Sequence, residues 1–170
     1  MPGQRPADGS SSSEGEEEES GEEETTPMKL VVVARRDLNM SPGKLAAQVG
    51  HGVHLAIARS GPEPVRLWDA DGASIVVLEA PGPEDLGRLR ALARERGLRA
   101  CRVVDEGLTE VCSGAWTVLA VGPDEAARVD AVTGGLRLYG GGGGGGPPVE
   151  APSACGGPTA QQHPAKDRRS

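Results

Sequence analysis

The two ends of this 170-residue chain cannot build a core, and that confines any fold to the stretch between them. Residues 9–24 read GSSSSEGEEEESGEEE. Like charges repel there, and no apolar side chain offsets the entropy of ordering, so the segment is expected to be disordered. From Gly140 to Gly146 the chain is glycine alone, followed by Pro147-Pro148, the composition of a flexible spacer. The expected organisation is an acidic disordered arm over 1–27, a folded domain over 28–139 and a Gly/Pro-rich disordered tail over 140–170. About 110 residues suffice for one core and not for two.

Charge follows the same division. The arm holds one Arg against nine acids, while 28–139 holds 14 Lys/Arg against 14 Asp/Glu. The pI near 5.0 therefore describes an appendage, and the domain itself is neutral. No run of 18 apolar residues exists, which excludes a transmembrane helix from the expectations. The polar, acidic N-terminus has neither the apolar region of a secretory signal nor the basic character of a mitochondrial presequence. A cytoplasmic location is expected, with mitochondrial association left open. Cys101, Cys112 and Cys155 are odd in number and form no CxxC. Neither a disulfide framework nor a zinc site is expected, and no cofactor is implied.

Within 28–139 two kinds of pattern alternate. Leu30 to Ala34 is a short β-branched apolar run suited to a strand buried on both faces. Ser41-Pro42 reads as an N-cap followed by proline at the first helical position, opening a helix to about Arg59. Pro64 to Asp69 fits one further helical turn. Ser74–Leu78 is a second buried-type strand. Pro83 opens a helix that Gly97 closes. Cys101–Val104 and Ala115–Val121 are two more strands, and Pro123–Thr133 is a last helix. This order implies a mixed or largely parallel sheet covered on both faces: an α/β three-layer sandwich with a four-stranded mixed β-sheet, flanked by disordered tails.

The first helix carries the most telling pattern. Leu45, Val49, Val53, Ala56 and Ile57 gather on one side at 100° per residue, and Lys44, Gln48 and His51 form a polar stripe roughly opposite. A lysine in the first turn opposes the helix dipole, so an anion or a developing oxyanion is expected near it; a solvated polar face is the plainer alternative. Asp105-Glu106-Gly107-Leu108-Thr109-Glu110 follows a strand directly. If that strand runs parallel to the first, both post-strand loops face one crevice, and Asp105 meets Lys44. An ionised Asp beside an ammonium orients a water, and the ammonium stabilises an oxyanion; an ordinary Asp-x-Gly turn is the alternative. His54 lies off the stripe and His163 in the tail. Arg88, Arg90, Arg94, Arg96, Arg99 and Arg102 form a basic cluster, either for phosphates or as a solvated face balancing Glu84, Asp85 and Glu95. Trp68, Trp116 and Tyr139 are the only aromatics, which leaves no stacking platform for single-stranded nucleic acid.

The segments MKLVVVARRDLNMSPGKLAAQVGH, VVLEAP, DEGLTEVCSGAWTVLAVGP and VTGGLRLY resemble the archaeal/eukaryotic peptidyl-tRNA hydrolase 2 family over essentially all of 28–139. The resemblance implies an often dimeric α/β domain. It also implies metal-free hydrolysis of the ester between a peptide and the terminal ribose of tRNA. Matched residue by residue, it implies Lys44, Asp105 and Thr109 as the catalytic group. Gln48 and His51 match the helix motif, and Asp37 and Met40 the preceding loop, as substrate-binding positions. The implied partner is peptidyl-tRNA, with a homodimer as a further expectation. Leu108 and Glu110 depart from the family pattern. They favour the alternative of a weakened paralogue that binds tRNA or protein without turnover.

Overall fold

The computed structural model describes residues 26–141; the acidic arm and most of the Gly/Pro-rich tail lie outside the described residues. The elements run β1 (Met28–Arg35), α1 (Pro42–Arg59), α2 (Pro62–Ala70), β2 (Ile75–Ala80), α3 (Pro83–Glu95), β3 (Ala100–Val104), β4 (Trp116–Glu125), α4 (Ala126–Thr133) and β5 (Arg137–Leu138).

The strands form one mixed sheet in the order β3-β4-β1-β2-β5. This corrects the expected four strands to five. The extra strand is two exposed residues, paired antiparallel with β2 as Leu78↔Leu138 and Glu79↔Arg137. A pair that short carries no readable periodicity, and only the presence of β2 beside it makes it a strand. The last helix also starts later than Pro123, because β4 continues to Glu125. Met28 and Lys29 of β1 pair with Glu125 and Asp124 and keep that segment extended. α2 is nine residues and starts at Pro62, longer than the single turn expected. Its Trp68 is buried, and the indole Nε1 donates to the Ser74 carbonyl at 2.9 Å.

β1 explains the layering. Leu30, Val32 and Ala34 point to one face and Val31 and Val33 to the other, and all five are at most 1% exposed. The first set packs with Ala56 of α1 and Trp68 of α2, and the second with Leu86 and Ala93 of α3 and Val129 and Val132 of α4. Helices thus cover both faces, and each fully buried Leu or Val contributes about 1.5–3 kcal/mol.

β1 and β3 both pair antiparallel with β4. They therefore run parallel to each other, two positions apart, and both end at the same side of the sheet. The condition for the β1–α1 loop to meet the loop after β3 is fulfilled. Cys101 is a buried free thiol. Among the described residues no helix is long and apolar enough to cross a membrane.

Candidate active site

Ser41 starts α1 as its N-cap: its Oγ accepts from the Lys44 backbone N–H at 3.3 Å. The first turn contains no acidic residue. The negative charge that suits a helix start comes instead from the loop between β3 and β4. Glu110 accepts from the Ser41 N–H at 2.8 Å and from the Ser41 Oγ at 2.5 Å. These two donations, the hydroxyl's first, hold the Glu110 carboxyl below the usual glutamate range. Glu110, one of the two departures from the family pattern, is thus a clamp that ties the loop to the helix.

The loop is shaped by its own backbone. Asp105 N–H donates to Ala115 O at 2.9 Å and Gly114 N–H to Asp105 O at 2.8 Å, closing residues 105–115 into a tight excursion. Gly107 has φ +79°, and a Cβ there would lie 2.4 Å from the Ser113 nitrogen, so only glycine fits. Its N–H donates to Asp105 Oδ1 at 2.8 Å.

Four side chains, Lys44 and Gln48 of α1 and Asp105 and Thr109 of this loop, meet at one point. Lys44 Nζ donates to Asp105 Oδ2 at 2.5 Å and to Thr109 Oγ1 at 2.8 Å. Gln48 Nε2 donates to the same Asp105 Oδ2 at 2.8 Å. Gln48 Oε1 in turn accepts from Thr117 Oγ1 of β4 at 2.5 Å, and the acceptor-only Asp105 carboxylate facing Nε2 assigns the orientation of the amide. Thr117 is fully buried, and Gln48 and Asp105 are 3% and 8% exposed.

The position of Gln48 corrects the expected face of α1. The stripe does not look away from the core. Gln48, Gly52 and Ala56 are the buried residues of the helix, while Leu45, Val49, Val53 and Ile57 are only partly buried. Gly52 is one cause: a Cβ there would come within 3.3 Å of Val118 Cγ2, so its absence lets α1 approach the sheet. The other cause is that Thr117 and Asp105 satisfy the amide where it enters the core.

The electrostatics follow. Lys44 donation is the largest influence on Asp105 and lowers its pKa. The Gly107 N–H and the Gln48 amide lower it further, while burial opposes them. Asp105 is thus an ionised carboxylate at neutral pH with its oxygens engaged, poor as a proton acceptor and good as an anchor. An ammonium has three N–H donors. Two are committed to Asp105 and Thr109, which leaves one for a ligand.

An open groove of about 820 Å³ lies against this cluster, lined among others by Lys44, His51, His54, Val104, Leu108 and Thr109. His51 and His54 are exposed on its wall, and Leu108 is 85% exposed at its rim. Asp37 and Met40 are elsewhere. Asp37 accepts from Arg35 Nε at 2.9 Å and from Nη2 at 2.5 Å, and Met40 is buried in the core beneath α1. Among the described residues no three His, Cys, Asp or Glu side chains group as metal ligands. Thr117 and Gly107 join the site from the structure rather than from the sequence. A threonine inside the apolar run AWTVLAV is the signal for the first, since a hydroxyl buried in a strand needs a partner.

Residues 28–139 match the family model described as peptidyl-tRNA hydrolase PTH2. The mitochondrial peptidyl-tRNA hydrolase 2 of Homo sapiens is 41% identical over 114 residues, covering 65% of this chain and 64% of that one. The peptidyl-tRNA hydrolase of Methanopyrus kandleri is 45% identical over 113 residues, covering 65% and 97%. A solved Agrobacterium protein of unknown function aligns with a TM-score of 0.46 at 18% identity over 65% of this chain and 96% of that one, too distant to add to the assignment. The chain spans 64% of the length of its human and bovine relatives. With the family model covering the whole span from β1 to the end of β5, the chain belongs to the peptidyl-tRNA hydrolase PTH2 family.

Proposed function

We propose that this protein hydrolyses the ester joining a peptide, or an N-blocked aminoacyl group, to the terminal ribose of tRNA. The observation that carries this reading is the Lys44 ammonium held at 2.5 Å from Asp105 and 2.8 Å from Thr109 at the edge of an open groove. Ester hydrolysis needs a positioned water and a donor where negative charge develops. Thr109 Oγ1 holds the water beside the carbonyl carbon. The water oxygen adds to that carbon, and the third N–H of Lys44 receives the oxyanion. As the bond to the ribose oxygen breaks, one proton of the attacking water passes through solvent to that oxygen and the other goes to bulk water, so that the peptide leaves as a carboxylate and the tRNA as a free hydroxyl. Asp105 holds the Lys44 ammonium in place, while Gln48, locked by Thr117, acts as a positioning residue rather than a substrate contact. His51 contacts substrate from the groove wall. Asp37 and Met40 support the β1–α1 loop from outside the groove.

Single-turnover hydrolysis of an N-acetylaminoacyl-tRNA tests this, with wild type beside Lys44→Ala. Release of tRNA by wild type and a loss of at least about 100-fold in the variant are expected, the size seen when one oxyanion donor is removed. Absence of release by wild type, with tRNA still bound, returns the assignment to a binding module. Asp105→Asn separates the same two readings, since turnover falls in an enzyme and a binding module is indifferent.

A further inference from the structure

A second groove of the domain lies along the same sheet edge and has a different chemistry. Its volume is about 1060 Å³, and Arg59, Arg90, Arg94 and Arg99 line it. All four are exposed, and none makes an ion pair or side-chain hydrogen bond with a described residue. Other arginines behave differently: Arg35, Arg36, Arg66, Arg88 and Arg128 each hold a carboxylate. The acids in the groove are Glu95 and Asp124, and Asp124 is already taken by Arg128 at 2.5 Å. The groove is therefore net positive, with free guanidinium forks that match phosphate oxygens.

Its placement decides the ligand. β3 is the terminal strand of the sheet, and α1 runs antiparallel beside it. Cys101 Sγ at the start of β3 donates to Leu55 O at 3.7 Å, whereas Asp105 just beyond its end meets Lys44 at the start of α1. The arginine groove takes in Arg59, Ala100 and Cys101, and the catalytic groove takes in Lys44, Val103 and Val104. The two are consecutive stretches of one edge. From Lys44 to Arg59 is about 22 Å along the helix, a span of several nucleotides. Arg90 and Arg94 stand one turn apart on α3, about 6 Å, a spacing on the order of that between successive phosphates of a strand.

We infer that this arginine groove is the track for the phosphate backbone of the tRNA whose esterified end lies at Lys44. The inference rests on the proposed reaction for its direction along the edge. The experiment is equilibrium binding of deacylated tRNA to the full chain over a range of salt, for wild type and for Arg90→Ala/Arg94→Ala/Arg99→Ala. Arg88→Ala, which removes a paired arginine of the same helix outside the groove, is the control. The triple variant is expected to bind at least tenfold more weakly near 0.1 M salt. The salt slope should become shallower by about 0.7–0.9 for every phosphate that is no longer neutralised. Hydrolysis of an N-acetylaminoacyl ester of a CCA trinucleotide should be unchanged, because that substrate does not reach the groove. An unchanged tRNA affinity and slope in a variant with wild-type circular dichroism overturns the inference. So does a variant that keeps tRNA but no longer binds a polyglutamate probe, which would make the groove a site for acidic protein. If wild type binds tRNA through these arginines yet releases nothing from either substrate, the reaction fails and the groove stands. If hydrolysis proceeds and the arginines are silent, the reverse holds.

Discussion

At the C-terminal end of β3, Lys44, Asp105 and Glu110 are each tied to a neighbour in fixed geometry; at its N-terminal end Arg59, Arg90, Arg94 and Arg99 are tied to no side chain among the described residues. The two grooves share an edge, and the contrast fits a division of labour. A charge that must act on one bond is held still, with its partner at hydrogen-bond distance and buried polar groups behind it. A charge that must meet a flexible polyanion works at longer range, and an internal carboxylate partner would only compete. Cations therefore read differently by their surroundings: Lys44 is fixed by buried polar partners beside a groove, Arg35, Arg36, Arg66, Arg88 and Arg128 are each neutralised by a carboxylate, and the four arginines of the second groove are left open.

The sharpest way to break that division is at Lys44. Lys44→Ala should lower kcat/KM on N-acetylaminoacyl-tRNA by about 100- to 1000-fold, on the order of 3–4 kcal/mol, with tRNA affinity changed less than about threefold. A variant that instead loses affinity and keeps kcat would make Lys44 a docking charge. Next is Asp105→Asn, which keeps the shape but leaves the ammonium without its counter-charge. A loss of roughly 100-fold in turnover is expected, together with about 2–3 kcal/mol of stability, read by urea unfolding. Gly107→Ala is the structural test of the same loop. Its positive φ and the 2.4 Å approach to Ser113 predict a loss of about 2–3 kcal/mol and of the Gly107 donation to Asp105. Thr117→Val probes the layer behind the cluster. It leaves Gln48 Oε1 buried and unsatisfied, at a cost of about 1–3 kcal/mol. It should lower kcat several-fold with KM nearly constant, because the amide no longer aims at Asp105.

The smallest effect concerns pH. Asp105 and Glu110 both have carboxyls lowered on folding, so the unfolded chain binds their protons first. Their contribution to stability is fully present above the unfolded carboxylate range near pH 4 and is lost as pH falls through the lower folded values. Melting temperature should fall more steeply below about pH 4 in wild type than in Asp105→Asn, and more steeply than in Glu110→Gln by a smaller margin. Parallel acid limbs in all three proteins would mean that the clamp and the cluster do not contribute to the folded state.

Much of this is legible in the residues themselves. Ser41-Pro42 marks the start of α1, the β-branched runs mark β1 and β2, and the positions of the Lys44 helix and the Asp105 loop directly after strands bring the two together on the condition, fulfilled here, that those strands run parallel. The departures have a common cause. β5 is two exposed residues that exist as a strand only beside β2. Pro123 looks like a helix start because proline opens helices locally, yet strand pairing with Met28 and Lys29 decides otherwise. Gln48 looks solvent-facing because an amphipathic helix normally hides only apolar groups, and Thr117, 69 residues away, reverses that.

The sequence by itself determined which segments form strands and helices and which residue types could cleave an ester, because those depend on local propensity, capping and short-range periodicity. Only the tertiary structure decided which charges are bound and which are free, because a carboxylate's partner is set by sheet order rather than by position in the chain. β1 and β3 lie parallel with β4 between them, and that arrangement brings Asp105 to Lys44 while leaving Arg90 and Arg94 of α3 open along the edge.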